Sequence, residues 1–325
     1  MPHILLPAPE RPHVVIEPAA AEGLLALDAD EIAALYRRHG ALLLRGFAAD
    51  TAAFRTFARR FCQTSVVNES PGRAPIDAPA QIYSVNAGGE AFALHPELSR
   101  EPWKPDAAFF ACLSQPDDGA TTICDGIALV DALPGEARRQ LEGRRLLYAA
   151  PAWPNMLEYW LGSATPDETV LRTPPRNCPY RFARDGRGGV VRYFTRPALH
   201  KPMFADEPAF GNFLLFARFN VGRSDFPLFD DLTPVPQAVV EAAKEAGDAT
   251  MAPIEWRQGD VLMLDNTRFM HGRTAIRAPE KRIIATYFGY LRFAIPDPEE
   301  PPDPVWRRED FTPPLSPLHP GLARS

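Results

Sequence analysis

The chain has 325 residues, 46% of them apolar, enough to bury one large core. A formal charge of -6 with no dense basic run argues against a nucleic-acid backbone as partner, and no apolar run approaches the roughly 18 residues a membrane span needs. Cys62, Cys112, Cys124 and Cys178 show no C-x-x-C spacing and the N-terminus carries no basic, apolar leader. The expectation is therefore a protein of the reducing cytoplasm with Cys112 and Cys124 as buried thiols.

In chain order, an irregular arm over residues 1–17 ends in a short strand from His13 to Ile16. Asp28 or Asp30 caps a helix over Glu31 to His39, which Gly40 closes. A short apolar strand, Ala41 to Arg45, follows. A second helix runs from about Thr51 to Cys62, with Phe54, Phe57, Ala58 and Phe61 on one face. From Gln81 the pattern turns to β: Ile82 to Val85, a Gly88-Gly89 turn, Phe92 to His95, Ala107 to Cys112 and Thr121 to Cys124. Leu133 to Glu142 reads as a helix opening at Pro134, and Gln237 to Gly247 as another. Between them residues 150–235, rich in Pro, Arg and aromatics, read as a lid-like insertion. Strands resume at Ala252 to Trp256, Asp260 to Leu264 and Arg282 to Tyr290. The Pro-rich tail 295–325 is expected to be extended on the surface or partly disordered. With 36 prolines and few helices, the expectation is a mainly β protein with helical decoration, a β-sandwich or jelly roll, in a single domain 1–325.

His95 and Glu97 sit two apart on a segment that reads as a strand running into a turn, so both side chains face one way. An imidazole and a carboxylate side by side make two-thirds of a metal clamp, and His271 is the distant third. A lone His-x-Glu is weak, since a solvated surface pair is its ordinary meaning. Context strengthens it. An apolar strand leads to His271, a turn follows near Arg277 to Glu280, and Arg282 opens a second apolar strand. As an antiparallel hairpin this would bring His271 and Arg282 opposite each other. An arginine entering a buried strand wants a carboxylate, which a dicarboxylate co-substrate would supply, and the Thr122 hydroxyl would reach the same carboxylate. The pattern points to a mononuclear iron site of the two-His-one-carboxylate type, open for a co-substrate and oxygen.

The chain resembles Fe(II)/2-oxoglutarate-dependent dioxygenases of the TauD/TfdA superfamily, and within it the clavaminate synthase-like branch that includes syringomycin-type amino-acid hydroxylases. The likeness runs through Gly40–Phe47, Asn68–Pro71, Leu94–Ser99, Pro105, Phe109–Cys112, Gly119 and Asp125. It resumes at Trp256, Gly259-Asp260, Leu264–Asn266, His271–Arg273 and Arg282. It implies a double-stranded β-helix, with His95, Glu97 and His271 as iron ligands and Thr122 and Arg282 on the far carboxylate of 2-oxoglutarate. Fe(2+), 2-oxoglutarate and O2 would together oxidise a C–H bond of a small molecule, expected to be an amino acid or amino-acid derivative of a specialised pathway such as antibiotic biosynthesis. Desaturation, epoxidation or cyclisation on the same site, a non-catalytic metal- or ligand-binding jelly roll, and a zinc hydrolase are the rival readings. Self-association stays open.

Three departures from that pattern stand out. The carboxylate is Glu97 where Asp is commoner, and any carboxylate there argues against a halogenase. The usual Gly-Gly-Glu-Thr run reads Gly119-Ala-Thr-Thr122. Thr286 stands where some relatives with anionic substrates carry a second arginine. Asn68, Glu69, Ser84, Asn86 and Arg273 are the candidate pocket residues, with Asn86 and Arg273 the foremost for substrate.

Overall fold

The computed structural model describes residues 2–68, 70, 72–115 and 118–314. Asp28 accepts hydrogen bonds from the backbone N–H groups of Asp30 and Glu31 and starts the helix Ala29–His39, which Gly40 ends at φ 73°. Asp50 caps the next helix, Thr51–Phe61, and Phe54, Phe57, Ala58 and Phe61 form its buried face, as the spacing predicts.

Three sheets follow from the β pattern. The major sheet runs His3–Leu5, Val14–Glu17, Ala41–Leu44, Val261–Asp265, Ala107–Ser114, Ile283–Leu291, Ile82–Ser84, Pro75–Asp77, with Cys62–Ser65 also paired to Ile283–Leu291. The minor sheet runs Ala252–Ile254, Thr121–Asp125, Phe269–Arg273, Phe92–His95. These two sheets form a double-stranded β-helix. The third runs Arg181–Arg184, Val190–Pro197, Arg145–Pro151, Leu228–Phe229.

Alternation along each strand builds the layers. Leu42, Leu44, Phe109, Met263 and Tyr287 face outward under the two N-terminal helices. Leu43, Phe110, Leu262, Leu264, Ile284 and Phe288 face inward and meet Ile123, Ile254 and Phe269 of the minor sheet. Leu94, Cys124 and Met270 point the other way, onto a helical layer that includes Gly126–Ala132 and Gln237–Thr250. Burial on both faces is why the central strands read as unbroken apolar runs.

Four expectations need correction. Phe269–Arg273 and Ile283–Leu291 are not a hairpin: they belong to different sheets, so His271 and Arg282 meet across the interior rather than across a ladder. Asp125 caps an additional helix, Gly126–Ala132, whose seven residues are too few for a visible period before Leu133. The region 150–235, expected to hold a few strands and loops, also contains the helices Pro154–Leu161, Glu168–Arg172 and Leu214–Phe219. The described part of the tail is docked. Arg307 forks onto Asp106 at 2.8 and 2.9 Å, and Trp306 is 3% exposed within the core. Residues 315–325 of that tail lie outside the described residues. No helix among the described residues is long and apolar enough to cross a membrane, and Cys62, Cys112 and Cys124 are buried free thiols.

Two recessed histidines make stability depend on pH. Burial, with Arg11 and Arg45 adding, lowers His13 to about 4; burial, with Lys104 adding, lowers His200 to about 3. Both stay neutral in the fold, whereas unfolded imidazoles take up protons near pH 6.5. Their contribution is complete above that value and is lost as pH falls toward 4 and then 3. The urea midpoint should therefore drop between about pH 7 and about pH 5. Replacing both residues with glutamine should flatten that drop, and a drop of unchanged size would refute the assignment.

Candidate active site

The minor sheet aims the site. His271 pairs directly with His95, and both side chains point between the sheets because Met270 and Leu94 point out. The two imidazole centroids are 4.7 Å apart. Phe216 lies 4.4 Å from the His95 ring and Phe110 5.1 Å from the His271 ring, so apolar walls flank the pair. Gly272 is required by this approach: a Cβ there would stand 2.6 Å from Phe92 O and 2.8 Å from Thr122 Oγ1.

The strand stops at His95, and Glu97 falls in the turn beyond it. What directs Glu97 inward is Asn266. Its Oδ1 accepts from Glu97 N at 2.7 Å, while its Nδ2 donates to Glu97 O at 3.1 Å and to Pro105 O at 2.8 Å. Glu97 Oε2 then stands 3.7 Å from His271 Nε2. Arg73 Nη2 donates to the same Oε2 at 3.1 Å, and Asn68 Nδ2 donates to Oε1.

These donors suit a divalent ion. His95 Nδ1 lies 2.8 Å from Ala93 O; a carbonyl only accepts, so Nδ1 carries the proton and Nε2 keeps the lone pair. Burial lowers the pKa of both imidazoles, and for His271 a proton on His95 or the charge of Arg73 lowers it further, so both favour the neutral form at pH 7. Two neutral imidazoles and one carboxylate are the donor set of a non-haem iron site. Among the described residues no three such side chains are already drawn into a metal cage, because Glu97 is turned onto Asn68 and Arg73.

Arg282 lines the same cavity. Its Nη2 donates to Thr121 Oγ1 at 3.0 Å, and Trp256 Nε1 donates to that oxygen at 2.9 Å. Arg282 Nε has no partner and no carboxylate is paired to this guanidinium among the described residues; burial and then the charge of Arg273 lower its pKa to about 10. A buried guanidinium so placed calls for an anion. Thr122, the predicted partner, is on the wrong face. Period-two alternation turns it toward Gly272, away from Arg282, and gives the inward position to Thr121. Ending the glycine-threonine run at Asp118-Gly-Ala-Thr121, with Gly119 as its second glycine, would have named the hydroxyl that meets Arg282.

The other candidates separate. Arg273 donates to Asn86 O and Glu90 O and lies over the Phe92 ring, so it ties down the loop before the metal strand. Asn86 Oδ1 accepts from Ser70, and Ser84 Oγ accepts from Ala74 N. Glu69 lies outside the described residues. Arg73 and Asn266 were not singled out from the sequence as site residues. Asn266 was one residue of a matched run, whereas nothing local marks Arg73. The cavity over these groups is about 620 Å³ and takes its far wall from Tyr148, Trp153, Met156, Phe213 and Phe226.

A family model described as taurine catabolism dioxygenase TauD, TfdA family matches residues 14–287. No curated protein sequence matches the chain. Among solved structures, the chain is similar to PvcB from Pseudomonas aeruginosa, at 17% identity and TM-score 0.57 over 92% of this chain and 94% of that one. It is also similar to a taurine dioxygenase from Burkholderia xenovorans, at 14% identity and TM-score 0.59 over 93% and 92%. AAD-2, solved with Mn(II) and N-oxalylglycine, matches at 12% identity and TM-score 0.57 over 92% and 99%. At these identities the likeness is one of fold.

The Asn266 tie generates a stability prediction. Asn266→Ala leaves the Glu97 N–H and two buried carbonyls without their partner, which should cost about 2–3 kcal/mol in urea unfolding. A loss below about 0.5 kcal/mol would mean that water or a neighbour satisfies those groups.

Proposed function

The chain belongs to the TauD/TfdA family of dioxygenases, and on that premise we propose that it oxidises an unactivated C–H bond of an amino acid or amino-acid derivative, as clavaminate synthase-like hydroxylases do. The observation that carries the reading is the inward meeting of His95, Glu97 and His271 beside a buried, carboxylate-free Arg282 on one cavity. Fe(II), 2-oxoglutarate and O2 supply the oxidising power; one oxygen atom goes to the product and one to succinate, with loss of CO2.

The protein's own share is binding and placement. His95 and His271 would give the metal two neutral lone pairs and Glu97 a negative charge. Arg282 and Thr121 would hold the far carboxylate of 2-oxoglutarate. The aromatic walls position the C–H bond and exclude water. Glu97 fills the position a halide would need, which favours hydroxylation over halogenation. The segment carrying Phe213, Phe216 and Phe226 forms one side of the cavity and would act as its lid. Buried free thiols favour a reducing, cytoplasmic setting.

The test is succinate formation from 2-oxoglutarate with Fe(II) and O2. His95→Ala or His271→Ala should abolish it and abolish Mn(II) binding; turnover that survives strict anaerobiosis would point instead to a hydrolase. Arg282→Ala should raise the 2-oxoglutarate requirement by the equivalent of about 2–5 kcal/mol. Thr121→Val should raise it by about 1 kcal/mol, and Thr122→Val should leave it unchanged. The reverse order of the two threonines would overturn the assignment of Thr121.

A further inference from the structure

Among the described residues, Arg73 is the one arginine or lysine in direct contact with the Glu97 carboxylate. Its side chain is 9% exposed. Nη2 donates to Glu97 Oε2 at 3.1 Å, Nη1 donates to Thr286 Oγ1 at 2.9 Å, and Nε has no partner among the described residues. The guanidinium carbon lies 5.0 Å from the Phe288 ring, so the head is held on a fixed shelf rather than left to swing. Thr286 is itself anchored through its hydroxyl to Tyr83 O at 2.9 Å.

The oxygen that Arg73 holds is the same Oε2 that faces His271 Nε2 at 3.7 Å. A divalent ion placed between those ligands therefore competes with Arg73 for one carboxylate. Two positive charges cannot share it cheaply in a dry site, and the loser becomes a buried, unpaired cation. Arg273 and Arg282 line the same cavity and are themselves cations, so neither relieves that charge. An incoming anion does.

We propose that Arg73 is a displaceable counter-ion of Glu97, released when the metal binds and then presented, on its Thr286–Phe288 shelf, to a carboxylate of the organic substrate. This rests on the metal-site reading above. It makes metal and substrate carboxylate bind cooperatively, and reciprocity requires each to tighten the other by the same factor. Carboxylates from two sources fit that chemistry, the organic substrate and 2-oxoglutarate itself, so the experiment fills the second beforehand.

Mn(II) affinity is measured by the spin-resonance signal of the free ion, on the full chain, with and without saturating 2-oxoglutarate. The probe carboxylate is 3-phenylpropanoate, which has an aromatic body and no keto group to chelate the metal. Without additives Arg73→Gln should bind Mn(II) about fivefold tighter than wild type or more, with Arg73→Lys between them. With 2-oxoglutarate present, 3-phenylpropanoate should tighten Mn(II) binding to wild type by a similar factor and leave Arg73→Gln unchanged. Equal or weaker Mn(II) binding by Arg73→Gln overturns the counter-ion role. No tightening of wild type by the probe, or equal tightening of both proteins, overturns the carboxylate role. A 2-oxoglutarate requirement raised in Arg73→Gln as much as in Arg282→Ala would assign the carboxylate to 2-oxoglutarate and refute the substrate assignment. Should Arg73→Gln fail the thermal-melt control, Arg73→Lys and Thr286→Val carry the comparison: both should tighten Mn(II) binding, and weakening in both overturns the proposal. Failure of the metal site itself is separate: wild type would then bind no more Mn(II) than His95→Ala.

Discussion

The antiparallel pairing of His271 with His95 brings together two imidazoles from opposite ends of the chain and turns both toward the space between the sheets. Everything else at the site answers to that pairing. Because the minor sheet is buried on both sides, a slip of one residue would trade His271 for Gly272 and send the imidazole toward the helical layer that Leu94 and Met270 face. The glycine also sets the distance, since no side chain fits where Phe92 O and Thr122 Oγ1 crowd the backbone. The apolar cost of misplacing Phe269 and Met270, each about 1% exposed or less, therefore holds the register that turns His271 toward His95.

Charge is the second constraint. The cavity is lined by more arginines than carboxylates. Arg192 forks onto Glu101 at 2.7 and 2.9 Å, Arg223 meets Asp225, and Arg73 meets Glu97. Arg273 has only carbonyls and Arg282 only a hydroxyl. Arg282 stays positive at neutral pH even though burial lowers it to about 10. Such a cavity gives anions a place and rejects cations of similar shape before any contact with the metal ligands is made.

The sequence was most legible where one local rule governs. The Asp28 cap, the aromatic stripe of Thr51–Phe61 and the doubly buried strands follow from spacing alone. His95, Glu97, His271 and Arg282, singled out by residue type and spacing, do come to line one cavity. The errors came where pairing decides. Choosing Thr122 over Thr121 required knowing which face of Thr121–Asp125 turns inward, and an apolar flank on both sides hides that. The hairpin drawn between His271 and Arg282 failed for a related reason: a nine-residue link and two apolar strands look alike whether the strands pair or cross to another sheet. Arg73 was invisible because its partners, Glu97, Thr286 and Phe288, are long-range in sequence.

The presence of Glu rather than Asp as the carboxylate gains a physical reason from these contacts. The Glu97 backbone is pinned on both its N–H and its C=O by one buried side chain, Asn266, so the carboxylate moves only through its own side-chain torsions. From that fixed origin it must reach Asn68 and Arg73 on one side and face His271 on the other. An aspartate at the same anchored backbone has one torsion fewer and a shorter arm, and would reach fewer of these partners from one backbone position. A rigid backbone with a mobile carboxylate is what a metal ligand needs if it is also to hold, and then give up, a buried cation.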